Sequence, residues 1–194
     1  RAGNQFLGGN QVLDNMVWSL VSGVSFWTFY EALTLWFYAS GRIHTVSWGD
    51  TPVYLAAMTL LVFFWSTAHF YLVHRSLHQT RLFKHTHALH HYNRNPIPWS
   101  GIAMHPYEHA VYFTLFLLWW ILPVHPVIII LTGLYQGLSP AVSHSGFRWL
   151  SLGPLGRVPA GDLFHHIHHQ HFDVNYGNTT TPLDKLSGTW HDGS

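Results

Sequence analysis

The pattern of apolar and polar positions along the chain contains four long apolar stretches. The first covers about residues 12–39 and the second Pro52–Val73, and each exceeds the roughly 20 residues that an apolar helix needs to cross a bilayer. The third and fourth, about residues 110–122 and 127–138, are shorter and are separated by the sequence PVHP at 123–126. Because proline interrupts a helix, these two stretches predict a short helical hairpin.

Composition supports a membrane protein. Only 9% of the 194 residues are charged, against about 25% in a soluble domain, whereas 48% are hydrophobic and 16% are aromatic. The net charge of +1 provides no broad basic surface, so we do not expect a nucleic acid partner. We expect an all-α integral membrane fold with about four transmembrane helices, forming a single domain over residues 1–194. Since the sequence starts at Arg1 rather than at Met, we expect its N-terminus to be incomplete.

The basic residues predict an orientation. If the chain crosses the membrane at each of the four stretches, Arg42 is the only basic residue on one side. The remaining basic residues share the opposite side, which the positive-inside rule makes cytoplasmic. They are Arg1, Arg75, Arg81, Lys84, Arg94, Arg148, Arg157 and Lys185. The same parity places the histidine clusters described next on the cytoplasmic face, as a cap on the membrane helices.

The chain contains 18 histidines and no cysteine. The absence of cysteine excludes a disulfide framework, cysteine-ligated zinc and iron–sulfur clusters. Most of the histidines fall in three short clusters. Their spacings are H-x-x-x-H at 74–78, H-x-x-H-H at 87–91 and H-x-x-H-H again at 165–169.

These spacings suit metal binding because residues three and four apart share one face of a helix. Eight aligned imidazoles exceed the needs of one metal ion and therefore predict two. Neutral imidazole accepts zinc, copper, iron or nickel. Structural zinc sites favour cysteine, and soluble di-iron bundles use glutamates that this chain lacks near its clusters. An all-histidine dinuclear site fits iron that activates dioxygen.

The combined motifs resemble the sterol desaturase/fatty acid hydroxylase superfamily of membrane di-iron enzymes. The last cluster is followed by Asn175-Tyr176-Gly177, and HPYE occupies 105–108. Further matches are the K-H-x-H sequence at 84–87, Asn95-Pro96, HSG at 144–146 and LDKLSGT at 183–189. The resemblance extends over roughly residues 53–190 and implies four membrane helices under a histidine-rich metal-binding cap.

The resemblance also implies roles for individual residues. The implied metal ligands are His74, His78, His87, His90, His91, His165, His168 and His169, with His144 as an additional ligand. Residues expected to be further ligands or to orient the ligands are His85, His105, His109, His166, His171, Asp162, Asp173 and Asn175. Asp162 is also placed to cap the helix that carries the last cluster.

The activity implied by the resemblance is dioxygen-dependent hydroxylation or desaturation of an unactivated C–H bond of a membrane lipid, with a sterol-like substrate expected. The cofactors would be two iron ions, for which zinc can substitute in a purified sample. Because the chain has no flavin, haem or iron–sulfur motif, the electrons should come from a separate ferredoxin- or cytochrome-type protein. Two alternatives remain: a carotenoid ring hydroxylase, and a non-catalytic metal-binding membrane subunit that retains the fold.

Overall fold

The computed structural model describes residues 6–49, 51–178 and 182–193, apart from the side chains of Thr80, Pro159 and Asp162. The α-helices of this part of the chain are α1 (Gln11–Val17), α2 (Val24–Ala39), α3 (Pro52–Leu77), α4 (Thr80–Leu82), α5 (Ala88–His91), α6 (Pro106–Tyr112), α7 (Pro126–Ser143), α8 (Asp162–His171) and α9 (Leu183–Ser187). π-helical turns cover Trp18–Gly23 and Phe83–His87. Short 3-10 helices cover Leu7–Gly9, Pro98–Ser100, Phe113–Trp120 and Gly153–Leu155.

The first apolar stretch forms a continuous helical segment, as predicted. It begins after Asn10, whose side chain accepts hydrogen bonds from the backbone N–H groups of Val12 and Leu13 and so caps two unpaired donors. The π-helical turn at Trp18–Gly23 joins α1 to α2 without a break. The sequence pattern did not predict this local change in helical period.

Two helices, α3 and α7, are long and apolar enough to cross a membrane by length and composition. Each has a proline in its first turn, Pro52 and Pro126, where a missing N–H costs no hydrogen bond. The third apolar stretch differs from a regular α-helix, because α6 continues as the 3-10 helix Phe113–Trp120. A 3-10 helix rises about 2.0 Å per residue, so this segment reaches farther than an α-helix of the same length would.

The helix α7 continues to Ser143, beyond the predicted boundary at 138, although Pro140 lies inside it. Proline has no N–H, so the carbonyl of Gln136 four residues earlier loses its helical partner. The hydroxyl of Tyr112 donates a hydrogen bond of 2.9 Å to that carbonyl. The bond satisfies the buried carbonyl and ties α7 to the end of α6.

Close contact between α2 and α7 depends on two glycines. A Cβ atom added at Gly133 would overlap the Glu31 carboxylate, and one added at Gly137 would overlap the Trp27 ring. Trp27 donates its indole N–H to Glu31 over 2.6 Å, which satisfies the only carboxylate within α2. Around this contact, the core is formed largely by the buried 3-10 segment, with Phe113, Phe116 and Trp119 fully enclosed.

The loop between α2 and α3 and the loop between the 3-10 helix Phe113–Trp120 and α7 lie at the same end of the helices. The backbone of Val124 hydrogen-bonds to that of His44 over 3.0 Å and to that of Val46 over 3.3 Å, forming a short parallel bridge. The ring of Trp48 contacts the ring of His125 beside it. The histidine clusters follow the other ends of α3 and α7, so they lie away from these two loops.

The mostly helical fold also carries one short β-hairpin. Strand β1 (Trp149–Ser151) pairs antiparallel with β2 (Arg157–Pro159), with Leu150 opposite Val158. The sequence predicts only a loop at 153–162. The strands of the hairpin are too short for the alternation of apolar and polar residues to reveal them. Helix α8 then begins at Asp162 after Gly161, whose φ of 78° favours glycine. Asp162 is therefore the first helical residue rather than the predicted cap.

Candidate metal centre

Nine histidines converge at the end of α3 and α7 in two adjacent groups. Within each group, the candidate ligand atoms all lie within 4.8 Å of one another. We call the first the five-histidine group, formed by His74, His78, His87, His91 and His168. We call the second the four-histidine group, formed by His90, His144, His165 and His169. The two groups together contain all nine residues for which the sequence and the resemblance predict metal binding.

The two H-x-x-H-H clusters are divided between the groups, although helical spacing alone would place all three histidines of each cluster on one side. In the second cluster, His87 and His91 join the five-histidine group while His90 joins the other. The third cluster is divided in the opposite sense: His165 and His169 lie in the four-histidine group, and His168 joins the first. Each cluster therefore contributes an i, i+4 pair to one group and a single imidazole to the other, which holds the groups side by side.

Ring nitrogens of the five-histidine group approach one another as ligands of one cation do. Nε2 of His91 lies 3.2 Å from Nε2 of His78 and 3.1 Å from Nε2 of both His87 and His168. One ring nitrogen carries at most one proton, so three hydrogen bonds at this atom are impossible. With metal–nitrogen bonds of about 2.1 Å, two ligands on one ion lie about 3.0 Å apart at right angles and about 3.4 Å apart in a tetrahedron. The observed spacings fit a shared metal ion.

The four-histidine group shows the same feature. Nε2 of His165 and Nε2 of His169 lie 3.1 Å apart. His90 and His144 complete the group, and Nε2 of His144 is buried without a hydrogen-bond partner. A buried nitrogen without a partner is costly unless a ligand satisfies it. This group also fits a metal ion.

Backbone carbonyls fix the orientation of three of these rings. The Nδ1–H of His74 donates to the carbonyl of Tyr176 over 2.6 Å, and that of His168 donates to the carbonyl of Val174 over 2.7 Å. His144 donates in the same way to Pro140 over 2.7 Å. A proton held on Nδ1 leaves the Nε2 lone pair free for a metal.

A carboxylate orients a fourth ring. Nδ1 of His87 lies 2.7 Å from Oε1 of Glu108, and both side chains are buried. Burial raises the pKa of Glu108 to about 8 and lowers the pKa of His87 to about 3. Burial therefore disfavours an ion pair between Glu108 and His87 in the metal-free protein.

Burial keeps the imidazoles outside the membrane helices uncharged. It lowers the pKa of His144 to about 4. Burial, reinforced by neighbouring imidazoles, also lowers the pKa of His90, His165 and His169 well below the ordinary value. Neutral imidazole is the form that binds metal, so these rings are ready to act as ligands near pH 7.

The loop after α8 is held by Asp184. This buried carboxylate accepts hydrogen bonds from the backbone N–H of Tyr176 over 2.9 Å and of Gly177 over 2.8 Å, and from the hydroxyl of Thr189 over 2.7 Å. It thereby positions the Tyr176 carbonyl that orients His74. The sequence motifs at 175–177 and 183–189 are parts of this one contact.

Asn175 performs a related task, but not the predicted one of accepting a hydrogen bond from an imidazole. Its side-chain amide donates to the carbonyls of Phe164 and His191 and accepts from the N–H of His191. With a φ of 55°, this residue adopts the left-handed conformation that asparagine tolerates better than most residues. Asn175 therefore secures the turn after α8 through the backbone.

The other predicted orienting residues lie outside both groups. His105 caps α6 by accepting from the N–H of Tyr107. His109 is buried between the hydroxyl of Ser22, 2.8 Å away, and the carbonyl of Ile102, 3.0 Å away. His85 and Asp173 are exposed, His166 contacts Gln170, and His171 stacks on His191. The side chain of Asp162 lies outside the described residues.

A cavity of about 490 Å³ extends from the histidines between α3 and α7. Its walls are mainly apolar, and His74, His87 and His165 are among the residues that line it. Leu134 and Leu138 of α7 also line the cavity and are exposed. The cavity is therefore accessible along this part of α7.

Sequence reasoning missed the groups that orient the ligands. Glu108 could have been found, because the HPYE sequence contains an acidic residue at the start of an apolar stretch. The carbonyls of Pro140, Val174 and Tyr176 carry no such signal, since every residue has a carbonyl. Their roles depend on how the chain folds back on itself.

Comparison with known proteins identifies relatives of this chain. The fatty acid hydroxylase family matches residues 59–189. Methylsterol monooxygenase 1 of Gallus gallus is 32% identical over 122 residues, which are 61% of this chain and 41% of that protein. The Delta(7)-sterol 5(6)-desaturase of Gibberella zeae is 30% identical over 123 residues, 62% of this chain and 34% of that protein.

Lathosterol oxidase of Rattus norvegicus is 28% identical over 159 residues, 73% of this chain and 48% of that protein. The chain thus spans less than half the length of these relatives. No solved structure matches the chain.

Proposed function

This chain belongs to the fatty acid hydroxylase family, and from that premise we propose that it is a membrane-bound, dioxygen-dependent di-iron oxygenase. Its substrate is a sterol-like lipid, in which it hydroxylates or desaturates an unactivated C–H bond. The observation that carries the proposal is the pair of buried histidine groups, members of both of which line an apolar cavity. The named relatives are sterol monooxygenases, desaturases and oxidases, which supports the substrate class.

Each histidine group holds one iron ion in this proposal. The five-histidine group provides more imidazoles than the four-histidine group, so the two ions have different ligand sets. Iron bound there supplies the reduction of dioxygen and the oxidation of a C–H bond. Zinc also accepts imidazole and can replace iron in a purified sample.

The protein positions the lipid and keeps water away from the site. A lipid enters sideways, past Leu134 and Leu138, into the apolar cavity between α3 and α7. Phe70 lines the cavity and stacks on the ring of His74, so it excludes water next to a ligand. Glu108, which lines the cavity and contacts His87, holds that ring in one tautomer.

The four apolar segments cross the membrane in this proposal, and the histidine clusters face the cytoplasm. The bridge between His44 and Val124 supports the topology, because it puts two inter-helix loops at one end. The excess of arginine and lysine in the loops at the other end supports the orientation. The reaction takes up electrons and protons from outside the lipid, and we propose that a separate ferredoxin- or cytochrome-type protein delivers the electrons from the cytoplasm.

Two measurements test the proposal. Metal analysis of protein expressed with sufficient iron should give about two metal ions per chain, as two histidine groups predict. Lipid mass spectrometry of cells with and without the gene should then find a lipid that has gained one oxygen atom or lost two hydrogen atoms. A single labile zinc ion, with no dioxygen consumption under reduction, would instead identify a non-catalytic metal-binding subunit.

The identity of the changed lipid distinguishes the remaining alternative. A modified sterol-like lipid supports the proposed substrate class, whereas a hydroxylated carotenoid ring would overturn it and retain the di-iron chemistry. Cells that express His168→Ala provide the matched control, because they contain the same chain without one proposed ligand.

A further inference from the structure

The β-hairpin exposes a dense set of large apolar side chains. Phe147 is 64% exposed, Trp149 54% and Leu155 86%, and Leu152 and Val158 are exposed as well. All five lie within 12 consecutive residues of one small hairpin. Exposed apolar residues scattered singly are ordinary, but a contiguous patch indicates a surface that meets an apolar partner.

The position of the hairpin suggests what that partner is. Helix α7, a candidate membrane span, ends at Ser143, and β1 begins at Trp149. His144, between them, belongs to the four-histidine group. Since a chain that has just left the bilayer is still near its surface, the hairpin lies where lipid headgroups meet the protein.

The two faces of the hairpin differ. Leu150 and Ala160 line the cavity. In β1, Leu150 is partly buried, whereas Trp149 and Ser151 on either side of it are exposed. Successive side chains of a strand point to opposite faces, and paired residues of neighbouring strands share a face. The face that carries Leu150 and its partner Val158 therefore closes the cavity, and the face that carries Trp149 and Arg157 is left uncovered.

The charged residues in the segment that forms this hairpin are all positive. Residues 145–161 contain Arg148 and Arg157 and no acidic residue, and both arginines are exposed. Tryptophan beside arginine is typical of segments at a membrane interface, where the ring lies among headgroups and the guanidinium binds phosphate. Anionic lipid therefore complements this surface in both charge and apolarity.

We propose that the β-hairpin is a lipid-binding element that inserts its exposed apolar side chains into the bilayer surface. Arg148 and Arg157 bind anionic headgroups, and Leu150 forms the wall that separates the cavity from those headgroups. The partner is the bilayer itself, rather than a protein docking from the cytoplasm. This inference rests on α7 crossing the membrane. It does not depend on catalytic activity, so it would still hold if the protein proved to be inactive.

The absence of cysteine makes a clean test possible, since one introduced cysteine gives one labelled site. Leu155→Cys carries an environment-sensitive fluorophore, and the protein is placed in nanodiscs that contain phosphatidylcholine with brominated acyl chains. Bromine quenches only fluorophores that enter the acyl region. The control is Asp173→Cys, an exposed acidic position in the turn after α8.

We expect the label at 155 to lose at least half of its fluorescence and the label at 173 to change little. Equal, weak quenching at both positions would overturn the insertion. The membrane helices keep either variant in the nanodisc, so the result does not depend on whether the protein binds membranes at all.

A second measurement tests the headgroup contact. Quenching at 155 is compared between phosphatidylcholine and phosphatidylcholine–phosphatidylglycerol nanodiscs, before and after Arg148→Gln and Arg157→Gln are introduced together. We expect anionic lipid to increase quenching and the double variant to remove most of that increase. Arg42→Gln, an exposed arginine near the opposite loops, is the matched control and should retain it. An increase that survives the double variant would overturn the role of the two arginines.

Discussion

The helical frame (α1 to α3, α6 and α7) and the metal centre differ in how their buried polar atoms are paired. In the frame, Trp120 donates to Thr34 over 3.0 Å and Trp119 donates to Thr132 over 2.9 Å. The frame also holds buried atoms without a partner, on Asn15, Ser66 and His69. In the metal centre, buried ring nitrogens are left without partners. They belong to His74, His90, His91, His144 and His169.

This difference supports the proposed metal binding at the centre. An unpaired buried nitrogen costs about 1–3 kcal/mol, and a cluster of them would destabilise a fold that gained nothing in return. A metal ion in each group would satisfy the free Nε2 of His74 and of His144. We therefore expect bound metal to stabilise the centre more than the frame.

The largest expected effect comes from removing a shared ligand. His168→Ala deletes a ring that reaches across from α8 to the five-histidine group, so we expect lipid conversion to be abolished and the metal content to fall by about one ion per chain. Enzyme assay and metal analysis of the purified variant check this. We expect His87→Ala to have the same effect on lipid conversion and metal content.

The matched control is His125→Ala, which removes a side chain that caps α7 far from the centre. We expect conversion to persist and thermal stability to fall by no more than about 1 kcal/mol, the usual cost of a lost cap. Equal loss of conversion in all three variants would mean that the histidines maintain the fold rather than bind metal.

Acid should weaken the centre more than the frame. Burial holds the pKa of His87 at about 3 and that of His144 at about 4 in the folded, metal-free protein, whereas the unfolded chain takes up protons near pH 6.5. Stability is therefore lost as the pH falls below about 6.5, by about 1.4 kcal/mol per pH unit for each such imidazole.

Thermal unfolding of chelator-treated protein in detergent, measured between pH 7 and 5, checks this dependence. His87→Phe removes one of the titrating groups and should reduce the slope, whereas His125→Ala should not. An unfolding temperature that stays constant or rises with acid would contradict the prediction. Metal affinity of the folded protein should change little over this range, because its imidazoles stay neutral until the pH approaches their lowered pKa values.

Glu108 should influence the metal without being a ligand. Removing a group that orients a ligating histidine typically lowers metal affinity about 10- to 100-fold, so we expect this loss for Glu108→Ala. Glu108→Gln keeps an acceptor of similar size and should recover part of it. Competition with a chelator of known affinity measures both variants. Unchanged affinity in Glu108→Ala would show that the Glu108–His87 contact is not needed to orient the ring.

The smallest effect is expected in the frame. Gly137→Ala introduces a Cβ that would overlap the Trp27 ring, and such overpacking costs about 1–3 kcal/mol. Gly49→Ala is the control, because its added Cβ meets nothing within 4 Å. Thermal unfolding should separate the two variants, while the metal content per folded chain stays the same. A large metal loss in Gly137→Ala would show that frame and centre are more tightly coupled than their contacts indicate.

The sequence predicts the frame well where a strong physical signal exists. The apolar stretches gave the helices, and the PVHP sequence at 123–126 separates the third from the fourth because Pro126 begins α7. The 3-10 geometry of Phe113–Trp120 was not predictable, since it depends on burial among other helices rather than on residue type.

For the centre, histidine spacing identifies eight of the nine residues that the structure gathers into two groups, and the family resemblance adds His144. The spacing does not predict that His90 and His168 each belong to a different group from the other two histidines of their own cluster, because helical periodicity describes one segment at a time. The β-hairpin at 149–159 was not predicted for a different reason. Strands of three residues are too short to show a recognisable alternation of apolar and polar residues.

The large sequence separation between contacting residues of the metal centre also has a consequence for how the protein matures. His74 depends on a carbonyl 102 positions later in the chain, and contacts between such distant segments form late because a long loop has to close first. During synthesis the early histidines exist before α8 does, so an immature chain offers a metal ion only part of its final site. We therefore expect complete metal loading to follow synthesis of the last histidine cluster.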